Sequence, residues 1–185
     1  MSTPVSVRQP PPGYPVRDAG RVSRTPAPVS IVLSAPDTDD SRWVLRAYFE
    51  DLASRHYRRS ATGGEIDAAM AEDSSDDLTS PRGLFFLAYR DAGVTGCAGL
   101  RTLPGGVGEV TRVFVIPSSR RLGLGARLLD EVEHAARTRG LSRLRLDTRS
   151  DLREARRLYE SHGYLEVLPF NNGRYAEHWF EKTLS

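Results

Sequence analysis

The sequence predicts an α/β domain built around a mixed β-sheet, and three observations predict it. Several short segments are rich in β-branched residues or alternate apolar and polar residues, as strands do. Other segments carry apolar stripes at helical spacing. The predicted order is β-α-α-β-β-β-α-β-α-β-β, which is typical of neither a barrel nor a helix bundle. A chain of 185 residues suffices for one domain of ordinary size and an appendage.

The predicted domain begins with one strand and two helices. Residues 29–35, VSIVLSA, form a β-branched run that is typical of a first or edge strand. The acids of residues 37–40 suit the first turn of a helix whose apolar positions continue to about Tyr57. We expect a second short helix near residues 65–71 and a loop over the polar residues 72–81.

Three strands joined by short turns are predicted next. The runs GLFFLAYRD and VTGCAGLRTL are joined at residues 91–93, Asp-Ala-Gly, which is a hairpin signal. A second turn at residues 104–106, Pro-Gly-Gly, leads into GEVTRVFVIP. That run is rich in β-branched residues and ends at Pro117, so it predicts a strand.

After this strand the apolar period changes from two residues to about 3.6. We expect a helix that Gly140 closes, a strand over residues 141–148, and a short helix that Ser150 caps and Gly163 ends. Two strand-like runs complete the chain, near residues 164–168 and 175–183. The apolar stripes of the two helices are Leu124, Leu128, Val132 and Ala135 or Ala136, and then Leu152, Ala155, Leu158 and Tyr159.

Residues 1–28 differ in composition from the rest of the chain. They hold seven of the twelve prolines, four arginines and one acid, and they show almost no aliphatic periodicity. Such a composition cannot bury a core, so we expect a disordered, proline-rich N-terminal arm. The folded domain is expected to span residues 29–185.

Composition and charge exclude several classes of protein. Residues 29–185 carry 22 basic and 23 acidic residues, and this balance argues against a nucleic-acid binder. The sequence has neither an apolar run of membrane-spanning length nor a start of the signal-peptide type. Cys97 is the single cysteine, which excludes an internal disulfide and a multi-cysteine metal site. We expect a cytoplasmic protein with no metal and with no membrane or nucleic-acid partner.

Residues 113–132, VFVIPSSRRLGLGARLLDEV, are the most informative segment for function. A predicted strand ends, a tight loop holds Gly123 and Gly125, and a predicted helix follows at once. Unpaired amides at a helix N-terminus bind phosphates, and the adjacent Arg120 and Arg121 add positive charge. The alternative role of the two glycines is only to form the turn between strand and helix.

Two common phosphate-binding loops fit this segment poorly. A nucleotide-binding P-loop ends in Gly-Lys-Ser/Thr, whereas this chain has Gly-Ala-Arg at residues 125–127. A dinucleotide-binding fold needs GxGxxG followed by an acid, and Asp147 fits the acid, but Leu128 stands where the third glycine should be. Of the three phosphate-binding loops compared, these mismatches leave the one that binds the pyrophosphate of an acyl-coenzyme A.

Two motifs at this spacing point to one family. RRLGLG, residues 120–125, matches the Q/R-x-x-G-x-G/A loop of the GNAT superfamily of N-acetyltransferases. Downstream, LRLDT followed by EARRLYESHGYLEV resembles the A..LYe..GF motif of that family. The resemblance covers residues 29–185. It implies a mixed, mostly antiparallel sheet of six to seven strands, splayed between the fourth and fifth strands and flanked by about four helices.

The resemblance also implies how acetyl-CoA binds as the co-substrate. It lies where the fourth and fifth strands splay apart, and main-chain groups of Val113, Phe114 and Val115 pair with the pantetheine and polarise the thioester carbonyl. The pyrophosphate binds to the glycine loop and the first turn of the next helix. The cofactor-binding residues of that loop are Arg120, Arg121, Leu122, Gly123, Leu124, Gly125 and Ala126.

Two further residues acquire catalytic roles from the resemblance. The acceptor is a primary amine of a small molecule or peptide, which must lose a proton before it attacks, and the departing thiolate must gain one. Tyr159 lies at the usual acid position of the family, although it also falls on the helix stripe, where its alternative role is packing. Glu109 begins the fourth strand, where many relatives place the base, and its alternative role is that of a solvated acid after a turn.

Other reactive side chains are weaker candidates. His162 and His178 are alternative bases, and Cys97 is a nucleophile for an acyl-enzyme route unless the strand buries it. We expect direct acetyl transfer to the amine; the alternative function is a catalytically degenerate CoA-binding sensor or interaction module. A homodimer is a further hypothesis for the assembly of this protein. The residues expected to border the acceptor site are Asn171, Asn172, Arg174, Tyr175 and His178.

Overall fold

The computed structural model describes residues 28–91 and 93–185. The predicted N-terminal arm therefore lies outside the described residues, apart from Pro28. A short 3-10 turn at Pro117–Ser119 lies between β4 and α3. The elements in chain order are β1 Val29–Ser34, α1 Asp39–Tyr57, α2 Gly63–Glu72, β2 Gly83–Arg90, β3 Gly93–Leu103, β4 Val107–Val115, α3 Leu124–Thr138, β5 Arg143–Thr148, α4 Arg153–Ser161, β6 Leu165–Val167 and β7 His178–Thr183.

The seven strands form one mixed sheet in the order β1-β2-β3-β4-β5-β7-β6. Neighbouring strands are antiparallel except β4 and β5, which run parallel. The four helices of the described chain flank this sheet. The structure thus confirms the predicted α/β class, the order of the elements and the mostly antiparallel sheet.

Helices cover both faces of the sheet because its central strands bury side chains on both. Phe86 of β2 packs in one apolar cluster with residues of α3 and α4. Its neighbours Phe85 and Leu87 point to the opposite face and pack with residues of α1. Successive side chains of a strand alternate between faces, so α3 and α4 lie on one side, and α1, with α2 beside it, lies on the other.

The start of the fourth helix differs from the sequence-based expectation. Ser150 was predicted to cap this helix, and that prediction is wrong. α4 begins at Arg153, directly after Leu152, and no side chain caps it. The Ser150 hydroxyl is instead engaged with the imidazole of His178, 3.0 Å away. A partner on a distant strand has therefore replaced the local hydrogen bond that the sequence suggested.

β4 and β5 are paired over only part of their lengths. Residues 107–109 of β4 lie in parallel register with residues 143–145 of β5. β4 continues to Val115 and β5 to Thr148, but the two strands are not paired there. They diverge just beyond Glu109, which confirms the predicted splay between the fourth and fifth strands.

A β-bulge shapes the end of β4. Two residues of this strand, Arg112 and Val113, lie opposite the single residue Ala98 of β3. Arg112 has a φ of 55°, in the left-handed region that residues with a Cβ rarely adopt. A bulge bends its strand and increases its twist, so this one helps to turn the end of β4 away from β5.

The side chain of Arg112 anchors this bulge. It is only 2% exposed, and its guanidinium donates to the Asp73 carboxylate at 2.8 Å and to the Ser75 hydroxyl at 3.0 Å. The same group lies over the rings of Tyr48 and Phe49, at 5.6 and 5.0 Å from their centroids. The bulge is thereby tied both to α1 and to the loop after α2.

Candidate active site

Aromatic side chains from three elements lie near the gap that opens between β4 and β5 beyond Glu109. The rings of Tyr48 (α1) and Phe114 (β4) meet edge to face with centroids 5.9 Å apart. Tyr159 reaches the same region from α4, close enough to Tyr48 for the two phenols to interact electrostatically. Beyond Glu109, the edge of β4 that faces the gap pairs with no strand among the described residues. Its main-chain groups are therefore available to an extended ligand.

The glycine loop between β4 and α3 presents a row of unpaired amides. Among the described residues, the N–H groups of residues 121–126 find no hydrogen-bond acceptor. The first helical hydrogen bond of α3 runs from the Arg127 amide to the carbonyl of Gly123 at 3.2 Å. Free amides at the positive end of a helix dipole bind anions, so this loop can hold a pyrophosphate.

The two positions of the loop require glycine for different structural reasons. Gly123 has a φ of 74° and directly precedes α3, and a Cβ built on it would meet no atom within 4 Å. Its missing side chain thus permits the left-handed turn and leaves the amides open on that side. A Cβ on Gly125 would lie 3.0 Å from a methyl group of Leu158, so Gly125 lets α3 pack closely on α4.

The two arginines before the glycines point to different partners. Arg120 donates to the carbonyl of Val115 at 3.0 Å and to the Asp51 carboxylate at 3.2 Å. Its guanidinium therefore braces the end of β4 against α1. Arg121 is exposed and adopts a φ of 65°, and Leu122 beside it is 50% exposed. The exposed Arg121 is the arginine whose charge is free to approach a pyrophosphate.

Tyr159 of α4 is buried in the core. The residue is only 6% exposed, and its ring centroid lies 6.0 Å from the ring centroids of Tyr164 and Phe180. Burial, and to a smaller extent Tyr48 and Asp147, raises the pKa of Tyr159 well above that of an ordinary tyrosine. The two roles left open by the sequence are thus compatible, since the ring packs in the core and the hydroxyl stays protonated.

Glu109 lies at the point where the two strands part. Its carboxylate forms ion pairs with Arg101 of β3 and Arg145 of β5, each at 3.4 Å. Arg145 also lies over the ring of Phe170, 4.4 Å from its centroid. Both ion-pair distances are long for hydrogen bonds, so the contacts orient the carboxylate and leave lone pairs for a water molecule.

A second carboxylate, Asp147, lies near Tyr159 at the end of β5. It accepts a hydrogen bond from the side-chain amide of Asn171 at 2.8 Å. The Asn171 oxygen in turn accepts from the indole N–H of Trp179 at 2.8 Å and from the Gly173 amide at 3.3 Å. These two donors fix which end of the Asn171 amide faces Asp147, so the carboxylate is held in place.

The loop between β6 and β7 lies beside Asp147. Arg174 forms an ion pair with Glu72 at the end of α2, at 3.1 Å. The Tyr175 ring meets His56 of α1 edge to face, with centroids 5.5 Å apart. Asn172 is exposed. Of the predicted acceptor-bordering residues, Arg174 and Tyr175 therefore contact the ends of α2 and α1, Asn171 contacts Asp147, and His178 faces Ser150.

Two other candidates from the sequence have structural partners. Cys97 is fully buried in β3 and donates to the main-chain carbonyl of Arg112 at 3.2 Å. Burial raises the pKa of its thiol, so the reactive thiolate is disfavoured. His162 lies at the end of α4, bonded to the carbonyl of Leu158 and 3.6 Å from Asp130 of α3. Neither side chain is free to act at the gap.

Three functional candidates were missed from the sequence. In sequence, Tyr48 is one of the apolar positions of α1, and Asp147 fits only the acid of a dinucleotide-binding fold. Arg112 carried a usable signal, because it places a charge inside the β-branched run GEVTRVFVIP. A buried charge needs partners, and these lie about forty residues earlier in the chain, at residues 73–75.

Two features are absent from the part of the chain that the structure describes. Its His, Cys, Asp and Glu side chains form no group of three or more that could hold a metal ion. None of its helices has the length and apolar character needed to cross a membrane.

The chain resembles several known proteins in sequence or fold. An IAA acetyltransferase of Azospirillum brasilense is 38% identical over half of this chain, which spans 61% of that relative's length. An uncharacterised N-acetyltransferase of Schizosaccharomyces pombe is 28% identical over 77% of this chain and 85% of its own. The PaiA N-acetyltransferase of Thermoplasma acidophilum, solved with coenzyme A, shares the fold with a TM-score of 0.67 and 19% identity. That match covers 84% of this chain and 99% of the other.

The family assignment follows from a match that includes both motifs and the gap between them. The model of the acetyltransferase (GNAT) family matches residues 45–164, well over half of the chain. This range contains the splayed strands, the glycine loop and Tyr159. The chain therefore belongs to the GNAT family of acetyltransferases.

Proposed function

We propose that this protein is an N-acetyltransferase that moves an acetyl group from acetyl-CoA to a primary amine of a small molecule or peptide by direct transfer. One observation carries the proposal: the unpaired edge of β4 leads directly to the unpaired amides of residues 121–126. An extended chain with a pyrophosphate at one end and a thioester at the other has the matching shape. Acetyl-CoA has both features.

The residues of this chain fit such a co-substrate. Val113, Phe114 and Val115 lie on the edge of β4 that faces the gap, with the Val115 carbonyl braced by Arg120. Residues 121–126 offer their amides to the pyrophosphate, with the side chain of Arg121 as an exposed positive charge. The open space around Gly123 supports the same assignment. The bound thioester supplies the activated acetyl group.

In this proposal Tyr159 protonates the departing thiolate. Its raised pKa keeps the phenol protonated at neutral pH, and the tight packing of its ring holds the hydroxyl in one place. A thiolate is a much better leaving group once a proton is supplied as the bond to carbon breaks. Direct transfer also agrees with Cys97, which is buried and so provides no acyl-enzyme nucleophile.

The two carboxylates have separate roles in the proposal. Glu109 receives the proton of the amine, through a water molecule, because it lies at the opening of the gap with its lone pairs incompletely used. Asp147 binds the ammonium form of the acceptor, since it is exposed, near Tyr159 and held by Asn171. A cytoplasmic location and a homodimer remain predictions from the sequence.

The decisive experiment measures thiol release from acetyl-CoA across a panel of primary amines, with calorimetric titration of coenzyme A on the same sample. Amine-dependent release with CoA binding supports catalysis. Tight CoA binding with no release for any amine would favour the alternative, a CoA-binding sensor or interaction module. Absence of CoA binding by the folded protein would overturn both.

A further inference from the structure

A second group of reactive side chains lies on the side of β5 away from the gap. Ser150 precedes α4, His178 begins β7, and Glu166 lies in β6. The Ser150 hydroxyl is 3.0 Å from Nε2 of His178. On the other side of the same ring, Nδ1 is 2.6 Å from the Glu166 carboxylate. The serine, the histidine and the carboxylate are thus connected in the order that activates a serine nucleophile.

The surrounding contacts determine the tautomer of His178. The Glu166 carboxylate accepts hydrogen bonds, so Nδ1 must carry the hydrogen. A guanidinium donates only, and that of Arg156 lies 3.2 Å from Nε2, so Nε2 must hold a lone pair. The Ser150 hydroxyl, 3.0 Å from Nε2, can donate to the same lone pair, which it shares with the Arg156 guanidinium. This is the arrangement in which an imidazole can remove the proton of a serine.

Ser150 also has the backbone setting that a nucleophile requires. It lies in the tight turn from β5 into α4, its own amide is fixed by Glu177 at 2.6 Å, and its residue is exposed to solvent. Among the described residues, the amides of Arg153 and Glu154 in the first turn of α4 have no acceptor. A serine in a turn from strand to helix, with unpaired amides in the first turn of that helix, resembles the setting of a nucleophile and its oxyanion site.

A hollow beside these residues indicates the kind of substrate. Arg156 lines it together with Arg153, Arg157 and Glu160, and its volume is about 320 Å³. Three guanidinium groups face one carboxylate there, so the hollow favours an anionic group.

We propose that Ser150, His178 and Glu166 form an acyl-transfer triad that hydrolyses small carboxylic esters with an anionic alcohol portion. The Ser150 oxygen attacks the ester carbonyl while its proton passes to Nε2 of His178. The carbon–oxygen bond to the alcohol then breaks, and His178 returns the proton to the departing oxygen. The resulting acyl-serine ester is hydrolysed by water, which restores the hydroxyl and releases the carboxylic acid. Glu166 orients the ring through its contact with Nδ1.

The test uses the full chain without coenzyme A, so its outcome is independent of the proposed N-acetyl transfer. The probes are 4-nitrophenyl acetate and its anionic analogue 4-acetoxy-3-nitrobenzoate, and release of the nitrophenolate is followed by absorbance. We expect hydrolysis above the buffer rate and an acetyl adduct on the Ser150 peptide in rapidly quenched samples. Ser150→Ala should lower the rate at least about a hundredfold and remove the adduct. His178→Asn and Glu166→Gln should also lower it.

Ser161→Ala is the matched control. Ser161 is an exposed serine of α4 whose hydroxyl donates to the Leu158 carbonyl, so its loss should leave ester hydrolysis unchanged. Circular dichroism establishes that each variant is folded. Wild-type hydrolysis by folded Ser150→Ala, or an acetyl adduct on another residue, overturns the triad. Equal kcat/KM for the neutral and anionic esters overturns the role of the arginine-lined hollow.

Discussion

At the scale of single residues, Tyr159 combines two roles that one substitution separates. Tyr159→Phe keeps the ring that packs against Tyr164 and Phe180 but removes the proton of the proposed acid. We expect acetyl transfer to fall at least about tenfold, because general acid catalysis typically contributes about 10²–10⁴-fold. CoA affinity and melting temperature should stay close to wild type. Thiol release, calorimetry and thermal unfolding measure the three quantities.

Tyr164→Phe provides the control for this change. Tyr164 is buried in the same core and also loses a phenol hydroxyl, yet the proposal gives it no part in the reaction. The Tyr164→Phe variant should have wild-type acetyl-transfer activity. A fully active Tyr159→Phe enzyme would show that Tyr159 only packs and that water protonates the thiolate.

The two carboxylates of the proposed site differ in the pH dependence that their loss should produce. Glu109→Gln removes the proposed base, so the loss of kcat/KM should be greatest at low pH, where the amine is protonated. It should shrink as the pH rises towards the pKa of the amine, about 10 for a lysine-like acceptor. Asp147→Asn removes the proposed ammonium site, so it should raise KM and affect kcat less.

Steady-state kinetics between about pH 6 and 9 distinguish these outcomes. Tyr159 itself adds no break to the profiles in this range, because its pKa is raised and the phenol stays protonated throughout. A loss for Glu109→Gln that is the same at every pH would contradict its role as base. Asp147 would then be the next candidate.

At the scale of elements, the turn that begins α3 should be essential for the co-substrate and dispensable for the fold. Gly123→Val places a branched side chain at a φ of 74° and into the open space beside the amides. The left-handed conformation costs about 1–3 kcal/mol for such a residue, so the turn should shift and CoA binding should be lost. Calorimetric titration of the folded variant measures this loss.

Gly105→Val is a matched control for the backbone strain. Gly105 has a φ of 76° and equally open surroundings, but it lies in the turn before β4, at the other end of that strand from the glycine loop. The Gly105→Val variant should lose about as much stability as Gly123→Val and keep wild-type affinity for CoA. Wild-type affinity in Gly123→Val would refute the assignment of the loop.

The β4 bulge should depend on the buried guanidinium that anchors it. Arg112→Ala removes hydrogen bonds to Asp73 and Ser75 and leaves a cavity against Tyr48 and Phe49. We expect a loss of about 3 kcal/mol in the free energy of unfolding, since removing one partner of a buried ion pair is strongly destabilising. Urea denaturation measures it.

Arg101→Ala serves as the comparison for Arg112. Arg101 shares the partner Asp73 but is 19% exposed and surrounded by Asp77 and Glu109 as well. Its loss should cost less than that of Arg112, because solvent screens more of its charge. Equal costs would show that burial at the bulge is not what makes Arg112 important.

At the scale of the whole molecule, the domain of residues 29–185 should function without the proline-rich segment before it. Residues 1–28 have no apolar pattern with which to dock on the domain. Deleting them should leave both the melting temperature and the turnover unchanged. A drop of several degrees in thermal unfolding would show that the segment packs on the domain or on a partner subunit.

Much of this architecture can be predicted from local sequence. The alternation in LSRLRLDT predicts β5, and the stripe from Leu124 to Val132 predicts α3. The glycine loop is recognisable because glycine adopts a φ such as the 74° of Gly123 without steric cost. Local signals of this kind need no partner elsewhere in the chain, so they can be read before the fold is known.

The contacts of the charged groups were decided only by the tertiary structure. Ser150 fits a helix cap equally well in sequence, and its pairing with His178, 28 residues away, depends on how β7 lies beside β5. Arg112 and Asp147 likewise acquire their roles from groups brought close by the sheet and its loops. Sequence determined the elements and the glycine loop, because these depend on periodicity and backbone freedom. The arrangement of acids, bases and nucleophiles depends on distances across the sheet, which only the fold sets.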